Sequence, residues 1–224
     1  MDNLKIEKII RSDRKTIAFQ ITDKATLIIK APYNVDEDTL LKLVFKHRKW
    51  IDKKIDEIKR RDPKVGKKEF VNGESFLYLG NYYKLTIVDK QEKPLHFENG
   101  FFLCKDYLPV ARDVFIEWYR SKAYEKIKER VEFYAKKRGL KYNHINITNA
   151  EKRWGSCSSA GNLNFSWRLI MAPLPVIDYV VVHELVHLIE KNHSRSFWNK
   201  VKVFLSDYEK HHEWLKKNGH LLKL

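Results

Sequence analysis

Cysteine, glycine and proline are scarce in this sequence, and long apolar runs are absent. The 224 residues include two cysteines, eight glycines and six prolines. Cys104 and Cys157 are too few for a four-thiolate metal cluster, and such sparse use is typical of a reducing compartment. The low glycine and proline content argues against a long flexible linker. Residues 1–10 lack the apolar core of a secretory signal and no stretch approaches a membrane span, so we expect a soluble cytoplasmic protein.

Positive charge is in excess. Lysine and arginine number 44 against 29 aspartates and glutamates, which gives a formal net charge of +15. This balance favours anionic partners, and the basic runs at 46–49, 59–61 and 136–138 could contact phosphate. Acidic residues are interspersed at helical spacing in the same segments, which is also the pattern of a solvated helical face. Binding of nucleic acid or a nucleotide through a basic surface therefore stays open.

Alternating and helical patterns predict an α+β protein whose first part is rich in strands. Apolar residues alternate at 17, 19 and 21 and again at 25, 27 and 29, which predicts a hairpin across Thr22–Lys24. A stripe at helical period from Asp36 to about Arg60 predicts one helix. A small antiparallel meander is predicted next, with turn pairs at Asn72-Gly73, Gly80-Asn81 and Asn99-Gly100. Residues 1–105 should thus form an antiparallel β-rich domain with one inserted helix.

The second part of the chain begins with a long helix. An apolar stripe from about Val110 to Arg138, closed by Gly139, predicts this helix, and we place the domain boundary near residue 106. Apolar positions alternate again at 145 and 147 and from 163 to 169, on either side of a segment of turn composition at 158–162. This pattern predicts an antiparallel hairpin in a second domain that covers residues 106–224.

The most specific motif is His183-Glu184-Leu185-Val186-His187. Two histidines four residues apart on a helix project from one face about one turn apart, close enough to chelate one ion. A glutamate beside that ion can take a proton from a bound water and pass it to a leaving group. The neighbouring positions from 179 to 189 are otherwise almost entirely apolar. We therefore predict a buried helix that presents His183 and His187 as metal ligands and Glu184 as the catalytic base.

A third metal ligand is expected shortly after this helix. The sequence turns polar beyond Ile189, so the chain can swing back and place His193 on the ion. Glu190 is the competing ligand, because it lies three residues beyond His187 on the same helical face; the ligand spacing favours His193. Ser194 is a good cap for a following helix whose aromatic residues we expect to pack under the turn that holds His193.

Three residues ahead of the metal helix are candidates for substrate binding, namely Arg153, Trp154 and Arg168. An arginine near a metal could stabilise an oxyanion or hold a phosphate or carboxylate, but each is also explained as a surface residue of a basic protein. Trp154 fits a packing role as well as a substrate platform. Segment 154–157 or 162–167 could also form an edge strand that receives an extended peptide, or could simply cover the core.

Together these motifs resemble the YgjP-like metallopeptidase family, which is related to the SprT-like and Wss-type zinc proteases. The resemblance rests on residues 153–157 and 163–168, the HExxH motif, residues 192–194 and Phe197-Trp198. It covers the last third of the chain strongly and the first part only in general layout. The resemblance implies a zincin-like domain of helices on a small antiparallel sheet. In that domain His183, His187 and His193 would hold one Zn²⁺, and Glu184 would be the base.

Three functions from different classes follow from the sequence. The leading one is a zinc-dependent hydrolase that cleaves polypeptides, a metallopeptidase. The second is a metal-dependent phosphohydrolase, a pyrophosphatase acting on nucleoside triphosphates, which the positive charge favours. The third is a nucleic-acid-binding module with a structural zinc. Glu184 argues against the third, because a closed structural site usually has four protein ligands and needs no general base.

Overall fold

The computed structural model describes residues 4–22, 24–59 and 68–224, and its contacts divide the chain into two compact units, Met1–Pro63 and Lys64–Leu224. The predicted α+β class is confirmed, with α-helices and small sheets in the described part of the chain. The sheets are mixed, however, and not purely antiparallel. None of the helices within the described ranges is long and apolar enough to cross a membrane.

The first unit is a three-stranded sheet covered by two helices. Its elements are β1 (Ile6–Ser12), β2 (Ala18–Ile21), β3 (Leu27–Pro32), α1 (Glu37–Lys46) and α2 (Arg48–Lys59). The predicted hairpin is the antiparallel pair of β2 and β3, although its Asp23 lies outside the described residues, and β1 pairs with β3 in parallel. The single helix predicted to Arg60 is two helices, and Arg60 is also outside the described residues. Both helices bury their apolar positions in one core, so the stripe in the sequence runs on across the break.

The second unit opens with a four-stranded sheet. Its strands are β4 (Ser75–Tyr78), β5 (Asn81–Val88), β6 (Leu95–Phe97) and β7 (Phe101–Cys104), in the order β4-β5-β7-β6. The predicted antiparallel meander is corrected at one place, because β7 returns alongside β5 in a parallel pair. The hairpin of β6 and β7 makes this possible, since it puts β6 at the outer edge.

This sheet shares its core with the helix that follows it, α3 (Ala111–Arg138). Phe76 of β4 stacks on Phe115 of α3 with ring centroids 4.3 Å apart. The turn after β4 also donates backbone hydrogen bonds from Leu79 and Gly80 to the carbonyl oxygens of Ile170 and Met171. The chain's contacts therefore divide it between Pro63 and Lys64, whereas the sequence led us to expect a boundary near residue 106.

The remaining elements carry the HExxH motif at 183–187 and the segments that pack around it. They are β8 (Ile145–Thr148), β9 (Gly155–Cys157), β10 (Leu163–Ser166), α4 (Leu174–Val186), α5 (Arg195–Phe204) and α6 (Tyr208–Asn218). The predicted hairpin differs from the observed pairing: β8 runs parallel to β10, and β9 is the antiparallel partner across the turn at 158–162. A 3-10 turn, Trp167–Met171, then leads into α4.

Candidate active site

Helix α4 presents the first two histidines from its last turns. Pro173 precedes the helix, where its missing N–H costs no hydrogen bond. Most of the residues in the helix itself are apolar and buried. His183 lies in the last turn and His187 is the C-cap, with ring centroids 4.9 Å apart. The predicted helix and the common face of its two histidines are thus present in the structure.

His193 reaches the same point from the turn that follows. Glu190 N–H still bonds to the Val186 carbonyl oxygen at 2.9 Å, after which the chain leaves the helix. The side chain of Ser194 accepts a hydrogen bond from Phe197 N–H and caps α5, as predicted. Between these two fixed points, His193 Nε2 stands 2.9 Å from His183 Nε2. The turn therefore brings the third imidazole against the first.

The carboxylate of Glu190, the competing third ligand, is engaged elsewhere. Lys200 Nζ donates to Glu190 Oε1 at 2.6 Å, and the Ser196 hydroxyl donates to the same oxygen at 2.8 Å. The backbone carbonyl of Glu190 accepts a hydrogen bond from His187 Nδ1 at 3.0 Å. Because a carbonyl can only accept, Nδ1 carries the ring proton and the Nε2 lone pair of His187 is left for another partner. Glu190 thus orients a histidine through its backbone.

Phe197 supports the three histidines from one side. This fully buried residue of α5 lies with its ring centroid 4.9 Å from His183, 4.6 Å from His187 and 4.7 Å from His193. Contacts to all three rings restrict their rotation, which preorganises a ligand set. The expected packing of the α5 aromatics under the turn is therefore seen directly.

Glu184 is buried beside the histidines without a hydrogen-bond partner on Oε2 in the described structure. Burial raises the pKa of this carboxyl to about 8, and the charge of Arg153 opposes the rise. Strand β9 passes directly over it: a Cβ on Gly155 would stand 2.5 Å from Glu184 Oε1. Only glycine allows this approach without a shift of the carboxylate. Gly155 is therefore a site residue that the sequence interpretation did not single out.

A cavity of about 360 Å³ opens between β9 and the end of α4. Its lining consists of Gly155, Ser156, Cys157, His183, Glu184, His187, Lys191 and His193. Burial raises the pKa of the Cys157 thiol, with Lys191 opposing the change, so Cys157 favours its neutral form. The cavity combines three imidazoles, one carboxyl and one ammonium group, and Lys191 is a second member that the sequence interpretation missed.

The three candidate substrate residues have different positions. Arg153 is exposed and close enough to influence the Glu184 carboxyl. Trp154 packs at the rim of the core, where a Cβ on Gly219 would stand 2.9 Å from its ring. Arg168 donates to the Asn149 side chain at 2.9 Å and to Glu151 at 3.0 Å, and it is not among the residues that line the cavity. Their roles in substrate binding remain predictions.

A family model described as YgjP-like, metallopeptidase domain, matches residues 15–218. The chain belongs to the YgjP-like family. Two similar solved structures are metallopeptidase zymogens, abylysin of Pyrococcus abyssi and jannalysin of Methanocaldococcus jannaschii, at 20% and 22% identity. They cover 43% and 42% of this chain and 96% of their own chains, with TM-scores of 0.38 and 0.36. The comparison with curated proteins gave no match.

The donor set of this YgjP-like chain fits a metal ion. The nearest ligand atoms of His183, His187 and His193 all lie within 4.8 Å of one another. Nitrogens that share a tetrahedral ion at about 2.1 Å stand roughly 3.4 Å apart, so the 2.9 Å between two Nε2 atoms is within about 0.5 Å of that spacing. Burial and the neighbouring imidazoles lower the pKa of His183 to about 3, which keeps it neutral and able to donate its lone pair.

Proposed function

We propose that this chain is a zinc-dependent peptidase in which one Zn²⁺ is held by His183, His187 and His193 and Glu184 is the general base. Imidazole nitrogens are preferred zinc ligands, and three protein ligands are typical of a catalytic site. A bound Zn²⁺ would supply Lewis-acid chemistry, polarising the scissile carbonyl and lowering the pKa of water. The metallopeptidase family supports the hydrolytic part of this proposal.

The observation that carries the proposal is the unpartnered carboxylate of Glu184. A buried carboxyl without a hydrogen-bond partner is costly, and nearby cationic charge would favour its ionised form. Once ionised, Glu184 can accept a proton at Oε2 and later donate it to the leaving amine. A structural metal site would have no use for such a group, so the site favours hydrolysis over the nucleic-acid-binding alternative.

Strand β9 offers a place for an extended substrate. Among the described strands it pairs with β10 on one side only, and Trp154 O and Ser158 N–H both bond toward that side. Since backbone groups alternate along an antiparallel ladder, those of Gly155 and Cys157 point to the free edge, which lines the cavity. A peptide added to this edge would place a peptide bond beside Glu184. A nucleotide has no backbone of this kind, which ranks the phosphohydrolase second.

The test is an assay of the metal-free protein, the zinc-reloaded protein and the reloaded Glu184→Gln variant against an unstructured polypeptide and a nucleoside triphosphate. We expect the reloaded wild type to bind one zinc and cleave the polypeptide, and both other samples to be inactive. Hydrolysis of the triphosphate without cleavage of the polypeptide would replace peptidase by phosphohydrolase. Full zinc content in a His183→Ala variant would contradict the metal site.

A further inference from the structure

Lys191 is a charged member of the cavity wall with no partner among the residues that the structure describes. Its side chain is exposed, lines the cavity beside Cys157 and His187, and forms no hydrogen bond or ion pair with any described residue. Lys191 is thus available to a ligand.

Arg153 lies just before β9, ahead of the strand residues that line the cavity. It precedes Gly155 by two residues, and Gly155 is the position pressed against Glu184. The Arg153 side chain is exposed and, like Lys191, has no hydrogen-bond or ion-pair partner among the described residues. Along the chain the order is therefore Arg153 just ahead of β9, then Gly155 beside Glu184, then Cys157 in the cavity wall with Lys191.

Some other cations of this unit are paired with carboxylates. Lys200, on the far side of the turn, is held by Glu190 at 2.6 Å, and α3 pairs Lys122 with Glu125 and Lys126 with Glu129. Lys191 in the cavity wall and Arg153, which is close enough to influence Glu184, would add to the charge of a bound metal, so the cleft would carry a positive potential. Such a potential raises the local concentration of anionic ligands and disfavours cationic ones.

We propose that Lys191 and Arg153 make this cleft selective for extended peptides with acidic side chains on both sides of the scissile bond. The selectivity rests on the peptidase function proposed above. With about 3.3 Å per residue, a peptide on the β9 edge that reaches from Arg153 to Cys157 spans about four residues, so the two cations face positions that flank the central peptide bond. Both residues determine specificity and neither takes part in the chemical step.

Binding of matched peptides to the zinc-loaded Glu184→Gln protein tests this selectivity without turnover. Three fluorescent peptides differ only at the two flanking positions, which are Glu, Gln or Lys, and anisotropy gives each Kd. We expect the Glu peptide to bind about tenfold more tightly than the Gln peptide at low salt. Lys191→Gln and Arg153→Gln should each reduce that preference by about threefold. Lys202→Gln, an exposed lysine of α5 outside the cavity lining, is the control and should not change it.

Lys191→Glu is a second variant and should shift the preference toward the Lys peptide. Equal affinities for the Glu and Gln peptides, or a preference that survives both neutral substitutions, would overturn the proposal. The proposal would also be overturned if Lys191→Gln weakened the binding of a nucleoside triphosphate but not the binding of the Glu peptide. Cleavage by the wild-type enzyme separates the two proposals. Selective binding of the Glu peptide without cleavage would support the selectivity and contradict the peptidase function. Cleavage without a charge preference would support the peptidase function and contradict the selectivity.

Discussion

Helix α4 carries two buried acidic residues that differ in their hydrogen-bond and ion-pair partners. Asp178 near the start is 8% exposed, and Glu184 near the end is 5% exposed. Arg130 of α3 donates to both oxygens of Asp178, from Nε at 2.5 Å and from Nη2 at 2.9 Å, and this ion pair raises the pKa of the guanidinium. Glu184 has no such partner for Oε2 in the described structure, and its pKa rises to about 8.

The difference indicates a structural role for Asp178 and supports the proposed catalytic role of Glu184. A bidentate ion pair compensates for the burial of Asp178 and fixes α4 on α3. The burial of Glu184 is not compensated within the described part of the chain, and a buried titratable group with a strongly shifted pKa is typical of a functional site. A buried carboxylate is therefore informative about function only when its partners are also known.

The largest contrast should appear in turnover. Glu184→Gln keeps the shape of the side chain but removes the base, so we expect kcat for polypeptide cleavage to fall by about 10³-fold. Zinc content should stay unchanged, because the three histidines are intact. Kinetic assays and elemental analysis of the same preparation measure both. Retained turnover would remove Glu184 from the mechanism.

The opposite result is expected at the other end of α4. Asp178→Asn removes the charge that pairs with the half-buried Arg130 and keeps only part of the hydrogen bonding, so the free energy of unfolding should drop by about 3 kcal/mol, as seen by denaturant titration. The kcat of the folded variant should stay within about threefold of wild type, since Asp178 does not line the cavity. The double variant Arg130→Met, Asp178→Leu should recover much of the stability. A loss of turnover in Asp178→Asn without a loss of stability would contradict the structural role of Asp178.

The position of Glu184 depends on Gly155, and a substitution there should act through geometry. In Gly155→Ala the new Cβ meets the Glu184 carboxylate, and a displacement of about 1 Å should lower kcat/KM by about 10²-fold. Zinc binding should persist. Ser156→Ala, on the same strand, adds no atom and is the matched control. Equal activity of both variants would show that the close approach does not position the base.

The sequence predicted local features well and pairing poorly. The spacing of His183 and His187, the cap at Ser194 and the end of α3 at Gly139 were predictable because each depends on a few adjacent residues. Alternation in β8 and β10 revealed strands but not their direction, since parallel and antiparallel strands show the same period. The role of Gly155 and the cation at Lys191 depend on residues far apart in sequence, so no local pattern could indicate them.

The last contrast should be a pH dependence of stability in the metal-free protein. The Glu184 pKa is raised from an ordinary value of 4.5 to about 8, so the folded state keeps a proton that the unfolded chain releases. Stability from this group is full below about pH 4.5 and is lost as the pH rises toward about 8. Glu184→Gln cannot ionise, so the Tm of the wild type should fall relative to the variant by about ten degrees over this range. Scanning calorimetry with a chelator measures this gap, and saturating zinc should reduce it because a nearby cation favours the carboxylate.

The control for this pH dependence is Asp178→Asn. Since this variant leaves Glu184 in place, it should keep the wild-type pH dependence. Parallel Tm curves for wild type and Glu184→Gln would show that Glu184 is not the group that titrates.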